Sequence, residues 1–198
     1  MKYYIKNAVL PFIYLFFMAI TALGILSIGD NLLWLKVILC ILNLGLYEVI
    51  ACAYAFKLGQ DALKVRSAND LERKQIIMTG EPRSLKLAEE YKPYKGFIIG
   101  LMTCAPLIIL LAVHTVIILC GGGNGAGVAS SIIYLVVYSF FRLGTSAAVT
   151  AYTFYFALFA LPVIIVPMGV SYYLGGRKIE MQHKKIEEQK RRIYGDKN

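Results

Sequence analysis

Charge is the first thing this chain lacks. Only 17% of its 198 residues are Asp, Glu, Lys or Arg, where a soluble domain carries roughly a quarter. That shortage excludes an ordinary solvated surface. The apolar residues come in long blocks rather than at helical or strand intervals, which is the signature of a membrane protein. Metal-binding patterns are absent as well. The four cysteines, Cys40, Cys52, Cys104 and Cys120, include no CxxC pair and have no His or Asp cluster beside them, so they read as small apolar packing residues rather than zinc ligands. No Lys-Ser or Lys-Thr follows the glycines of "CGGGNGAG", which excludes a Walker loop. No strand or βαβ unit frames the looser Gly121-x-Gly123-x-x-Ala126 spacing, which argues against dinucleotide binding. No cofactor is expected.

What the chain does have is positive charge in a few places. The net charge is +9, and of 21 Lys and Arg two lie in "MKYYIK", nine between Lys57 and Lys95, and eight after Gly175. Only Lys36 and Arg142 fall elsewhere. Basic loops between apolar spans mark the cytoplasmic side, because Lys and Arg resist translocation. A basic groove with stacking aromatics is not visible, so nucleic acid is not an expected partner.

The first apolar run, Ala8–Ile28, holds 21 residues without a charge, about the length that crosses a ~30 Å hydrocarbon core. It is longer than the h-region of a signal peptide and reads as a retained span. A turn at "SIGDN" leads to a second span, Val37–Phe56. Residues 57–95 then form a mixed-charge loop, with short helices expected in "ANDLERKQIIM" and "SLKLAEEY" and a break at "TGEPRS". The third span is Gly96–Cys120, with Tyr and Lys anchors at its entry and Gly96-x3-Gly100 available for close helix packing. Val128–Phe141 would reach only ~21 Å as a helix, which suits a re-entrant or interfacial piece. A last span runs from about Val149 to Leu174, with Pro162 and Pro167 inside it. The tail repeats Ile179, Ile186 and Ile193 at heptad spacing, with Gln182 and Gln189 between them, and reads as a charged helix continuing from the last span.

Parity fixes the count. With the amino end, the 57–95 loop and the tail all inside, the number of spans is even. The expected fold is all-α: four transmembrane helices plus a short re-entrant or interfacial apolar helix on the outer side. It divides into a hairpin over 1–56, the loop over 57–95, a second hairpin with the glycine loop over 96–174, and a basic tail over 175–198. The expected location is the cell membrane, multi-pass, with both ends cytoplasmic. The glycine loop then lies outside and serves as a hinge rather than a phosphate cradle or a selectivity loop.

Glu48 is the most informative single residue, because a carboxylate about 13 Å inside the boundary must be paired, protonated or facing water. Asn43 shares a face with Tyr47, while Glu48 groups with Ala51, Cys52 and Ala55. His114 completes the intramembrane polar candidates, but helix rise puts it about 27 Å from the cytoplasmic side, too far to pair with Glu48. Arg142 and Lys36 are the outer-side candidates: Arg142 is able to snorkel to headgroups, and both are charges that attract an anion. These residues are dispersed and form no catalytic set. The expected function is therefore a non-enzymatic transport-related subunit or membrane assembly factor, the alternative being an intramembrane enzyme acting on a lipid or other embedded substrate. Expected partners are the bilayer, with anionic lipid near the tail, and a second copy or another membrane protein.

Overall fold

The computed structural model describes residues 1–28, 30–81, 84–120 and 157–195, and over them the chain is helical, with no strand. Four long helices carry the fold: α1 (Lys2–Leu26), α2 (Leu33–Thr79), α3 (Lys95–Leu119) and α4 (Ala157–Tyr194). Single 3₁₀ turns at Asp30–Leu32 and Leu87–Glu89 sit in the connections. Two of the helices, α1 and α2, are long and apolar enough to cross a membrane. The glycine loop, Val128–Phe141, Arg142 and the first part of the last span lie outside the described residues.

The helices form a ring in which α1 packs on α2 and α3, and α4 packs on α2 and α3. Hydrogen bonds and close contacts give the directions. Asn43 on α2 donates to the Met18 carbonyl on α1 at 2.8 Å, and Tyr54 donates to Asn7 at 3.5 Å, so α1 and α2 are antiparallel. Cys52 meets Ser171 and, one turn on, Phe56 meets Gly175, so α2 and α4 run the same way. Gly96 faces Tyr172 and Gly100 faces Ile165, so α3 opposes α4. The Gly96-x3-Gly100 pair thus has its partner in α4, and the close approach depends on missing side chains. The core between the helices is filled by Leu15, Tyr47, Ile99, Met168 and Tyr172, all buried.

One end of the ring gathers Lys2, Lys6, Lys95 and the Gly175-Gly176 pair; we call it the lysine-rich end. Here α2 departs from the sequence expectation. It does not stop near Phe56 to give a loop with short helices but continues to Thr79, making one helix of 47 residues, or about 70 Å. The charge content changes at Lys57, yet the residues that follow are mostly good helix formers, with Gly59 the only Gly or Pro before Gly80. The helix ends where the backbone demands it: Gly80 takes a left-handed φ of 72° and its N–H reaches back to the Ile76 carbonyl. "SLKLAEEY" supplies only the 3₁₀ turn at Leu87–Glu89. The tail behaves as the sequence suggests, since α4 passes without interruption through Pro162 and Pro167 and on to Tyr194.

Candidate functional site

Polar groups collect at two levels of the bundle. The deeper set surrounds Glu48, two to three turns above the lysine-rich end. The buried stripe of α2 runs Cys40, Asn43, Tyr47, Ala51, Ala55 and Gly59, and Glu48 stands half-buried at its edge. Cys52, one turn along, approaches Glu48 Oε2 at 4.0 Å, while Glu48 Oε1 is buried with no hydrogen-bond partner. Cys52 also interacts with Ser171 on α4, and Glu48 is near enough to Cys104 on α3 to act on it electrostatically. Residues from α2, α3 and α4 therefore converge at one depth: a carboxylate, two thiols and a hydroxyl.

Of the residues expected to accompany Glu48, Asn43 is occupied elsewhere, tying α2 to α1 through the Met18 carbonyl. His114 lies on the last turns of α3, well past Cys104 along that helix. Lys36 is buried near the start of α2, close enough to Cys40 to interact with it. Sequence reasoning missed Cys104 and Ser171. The only available signal was a small polar or thiol side chain in an apolar span, and many packing residues carry that same signal.

The second set lies at the lysine-rich end, where residues 84–95 are strapped across α2 and α4. Glu90 Oε1 accepts from Asn69 at 2.8 Å and pairs with Arg73 at 2.6 Å, both on α2, and Asn69 Oδ1 accepts the Lys86 N–H at 3.2 Å. The Tyr91 N–H donates to the Ala62 carbonyl at 3.1 Å. The Tyr91 ring stacks on Tyr172 at 5.5 Å and lies against Gly176, while its hydroxyl donates to the Tyr173 carbonyl at 3.3 Å. Burial pushes the Tyr91 phenol above its ordinary pKa, with Tyr173 and Glu180 adding to the effect. Lys95 opens α3 with its ammonium donating at 2.7 Å to the carbonyls of both Ala88 and Glu90, 5.0 Å above the Tyr3 ring. Burial and then Lys92 push that ammonium below the usual lysine range. The strap thus joins all four helices at the level where α2 and α4 leave the bundle.

Between the strap and the start of α1 is an open cleft of about 440 Å³. It is lined by Lys2 and Lys6 from α1, by Leu58, Asp61, Ala62 and Val65 from α2, and by Glu89 from the strap. Among the described residues no cluster of His, Cys, Asp and Glu could hold a metal ion. No family model matches the chain, no curated protein matches it, and no solved structure matches it.

Proposed function

We propose that this chain is a four-span membrane module with both ends cytoplasmic, assembling with a protein partner through two helices that it extends from the bilayer. The observation that carries the proposal is continuity. α2 and α4 each run from an apolar segment into a charged one without a break, side by side and in the same direction. Past the Gly59–Gly176 level the remainder of α2 reaches about 30 Å and that of α4 about 27 Å. The extensions carry apolar side chains in the open: Leu71, Ile77 and Met78 on α2, and Met181, Ile186 and Ile193 on α4. Polar helices that present such residues at intervals are suited to helix-on-helix docking.

The charge pattern on α4 narrows the partner. If Ile179, Ile186 and Ile193 mark a seam, the flanking positions are Lys178, Lys185, Lys190 and Arg192. Two copies of this helix side by side would set cation against cation, whereas an acidic helix would be complemented. Arg177 and Lys178 immediately follow the Gly175-Gly176 contact and meet anionic headgroups, each gaining about 1 kcal/mol. The test is purification of the full chain in gentle detergent with analysis of what accompanies it. An acidic helical partner should copurify, and reversing Lys185, Lys190 and Arg192 to Glu should release it while the bundle still folds. A wild-type chain that purifies without any partner contradicts the reading.

A transport-related role is supported by Glu48, whose buried oxygen without a partner is able to take up a proton or a cation. It is compatible with assembly, since subunits of transport systems need both.

A further inference from the structure

The cleft at the lysine-rich end brings charges of both signs together. Lys2 and Lys6 lie one turn apart on α1, and Asp61 on α2 and Glu89 on the 3₁₀ turn line the same cleft. Among the described residues no ion pair joins either lysine to either carboxylate: the pairs formed nearby are Lys64 with Asp61 at 3.4 Å, both exposed, and Arg73 with Asp70 and Glu90. The two Lys95 hydrogen bonds fix the turn that bears Glu89, and the Tyr54–Asn7 hydrogen bond ties the α1 side of the cleft to α2. Two cations from α1 and two anions from α2 and the strap select a ligand that carries both an anion and a cation, with no net charge.

We propose that the cleft binds a phosphoethanolamine group, with the phosphate against Lys2 and Lys6 and the primary ammonium against Asp61 and Glu89. Hydrogen bonds between ionised partners are the strong ones, and a primary ammonium offers three donors to the carboxylates where a trimethylated one offers none. The cleft volume of about 440 Å³ lies within the range of small-ligand sites. The same chemistry occurs in a soluble phosphoethanolamine and in an aminophospholipid headgroup. The geometry favours the lipid. Lys2 and Lys6 are continued along the same face of α1 by Leu10, Ile13 and Phe17, all exposed, so a headgroup in the cleft has an apolar stripe beside it for its chains. Placing the cleft at headgroup depth rests on the four-span reading; the affinity for the zwitterion does not.

Native mass spectrometry of the detergent-solubilised full chain tests this. Phosphatidylethanolamine, its mono- and dimethyl derivatives, phosphatidylcholine and phosphatidylglycerol with matched chains are added in turn. Binding should fall stepwise with each N-methyl group, with phosphatidylethanolamine retained about tenfold over phosphatidylcholine. The pair Asp61→Asn with Glu89→Gln, both exposed positions, should bring phosphatidylethanolamine down to the phosphatidylcholine level. Lys2→Gln with Lys6→Gln should weaken both lipids alike. Displacement of the lipid by soluble phosphoethanolamine at comparable concentration identifies the free compound as a ligand, and failure to displace identifies the lipid. Equal retention across the methylation series by the wild-type chain overturns the proposal without recourse to any variant. Selectivity that survives in folded Asp61→Asn/Glu89→Gln protein also overturns it, whether or not the four-span reading holds.

Discussion

A side chain at Gly59 would collide with the carbonyl of Tyr172, and one at Gly175 with the carbonyl of Phe56. Both obstacles are backbone, so neither can rotate away, and the two helices would have to separate. Gly59→Val and Gly175→Val should each destabilise the bundle by about 1–3 kcal/mol or more. Gly45 is the control: nothing lies within 4 Å of the position its Cβ would take. Gly45→Ala should stabilise α2 by up to about 1 kcal/mol through helix propensity. Thermal unfolding in detergent followed by fluorescence measures all three, and equal effects at Gly59 and Gly45 would contradict the packing described. Glu48 calls for a different substitution. Glu48→Gln keeps shape and hydrogen-bonding capacity while removing titration. If the residue carries a proton or cation, the variant should fold and assemble yet lose the pH or ion dependence of flux in reconstituted vesicles; full retention leaves only a structural role. Glu48 is conspicuous in the sequence because it is the one acidic residue in its apolar run. Its neighbours Cys104 and Ser171 are not, because they are brought to it by a helix register that the glycine contacts set, and a contact between segments so distant in sequence leaves no mark on either one.

At the scale of the helices, the apolar runs mark α3 to within one residue at each end and the far end of α1 to within two, since their length is dictated by what must be buried. The continuation of α2 is different. A rise in charge marks a change of solvent, and a helix crosses that change freely when nothing in the chain breaks it. Residues 57–79 lack a strong apolar face except near the base, where Ala62, Leu63 and Asn69 are buried, so periodicity gave little sign of one helix. Lys64 tests the continuity, because its side chain is 62% exposed and its ion pair is with the exposed Asp61. Lys64→Pro removes a helical hydrogen bond at a cost of about 3 kcal/mol, and should expose the amides around it to hydrogen exchange and loosen the Tyr91–Ala62 bond of the strap. Lys64→Ala should leave protection unchanged. Indistinguishable exchange in the two variants would mean that this stretch is a loop, as the composition alone suggests.

For the molecule as a whole, the ring of helices accounts for the uneven distribution of charge. The segments expected to cross the membrane pack against one another through glycines and small residues. The charged lengths of α2 and α4 leave together at one end, and the strap at residues 84–95 fastens that end with its own polar contacts. The partner-binding proposal depends on that end facing the cytoplasm. Single-cysteine labelling in intact cells, on a background with the native cysteines replaced, measures this directly. Ser27, at the far end of α1, and Cys120, exposed just past α3, should react with an impermeant maleimide. Cysteines placed at Met78 and Glu188, on the two extensions, should react only after the membrane is opened. Labelling of Met78 or Glu188 in intact cells, or on the same side as Ser27, would contradict the four-span account.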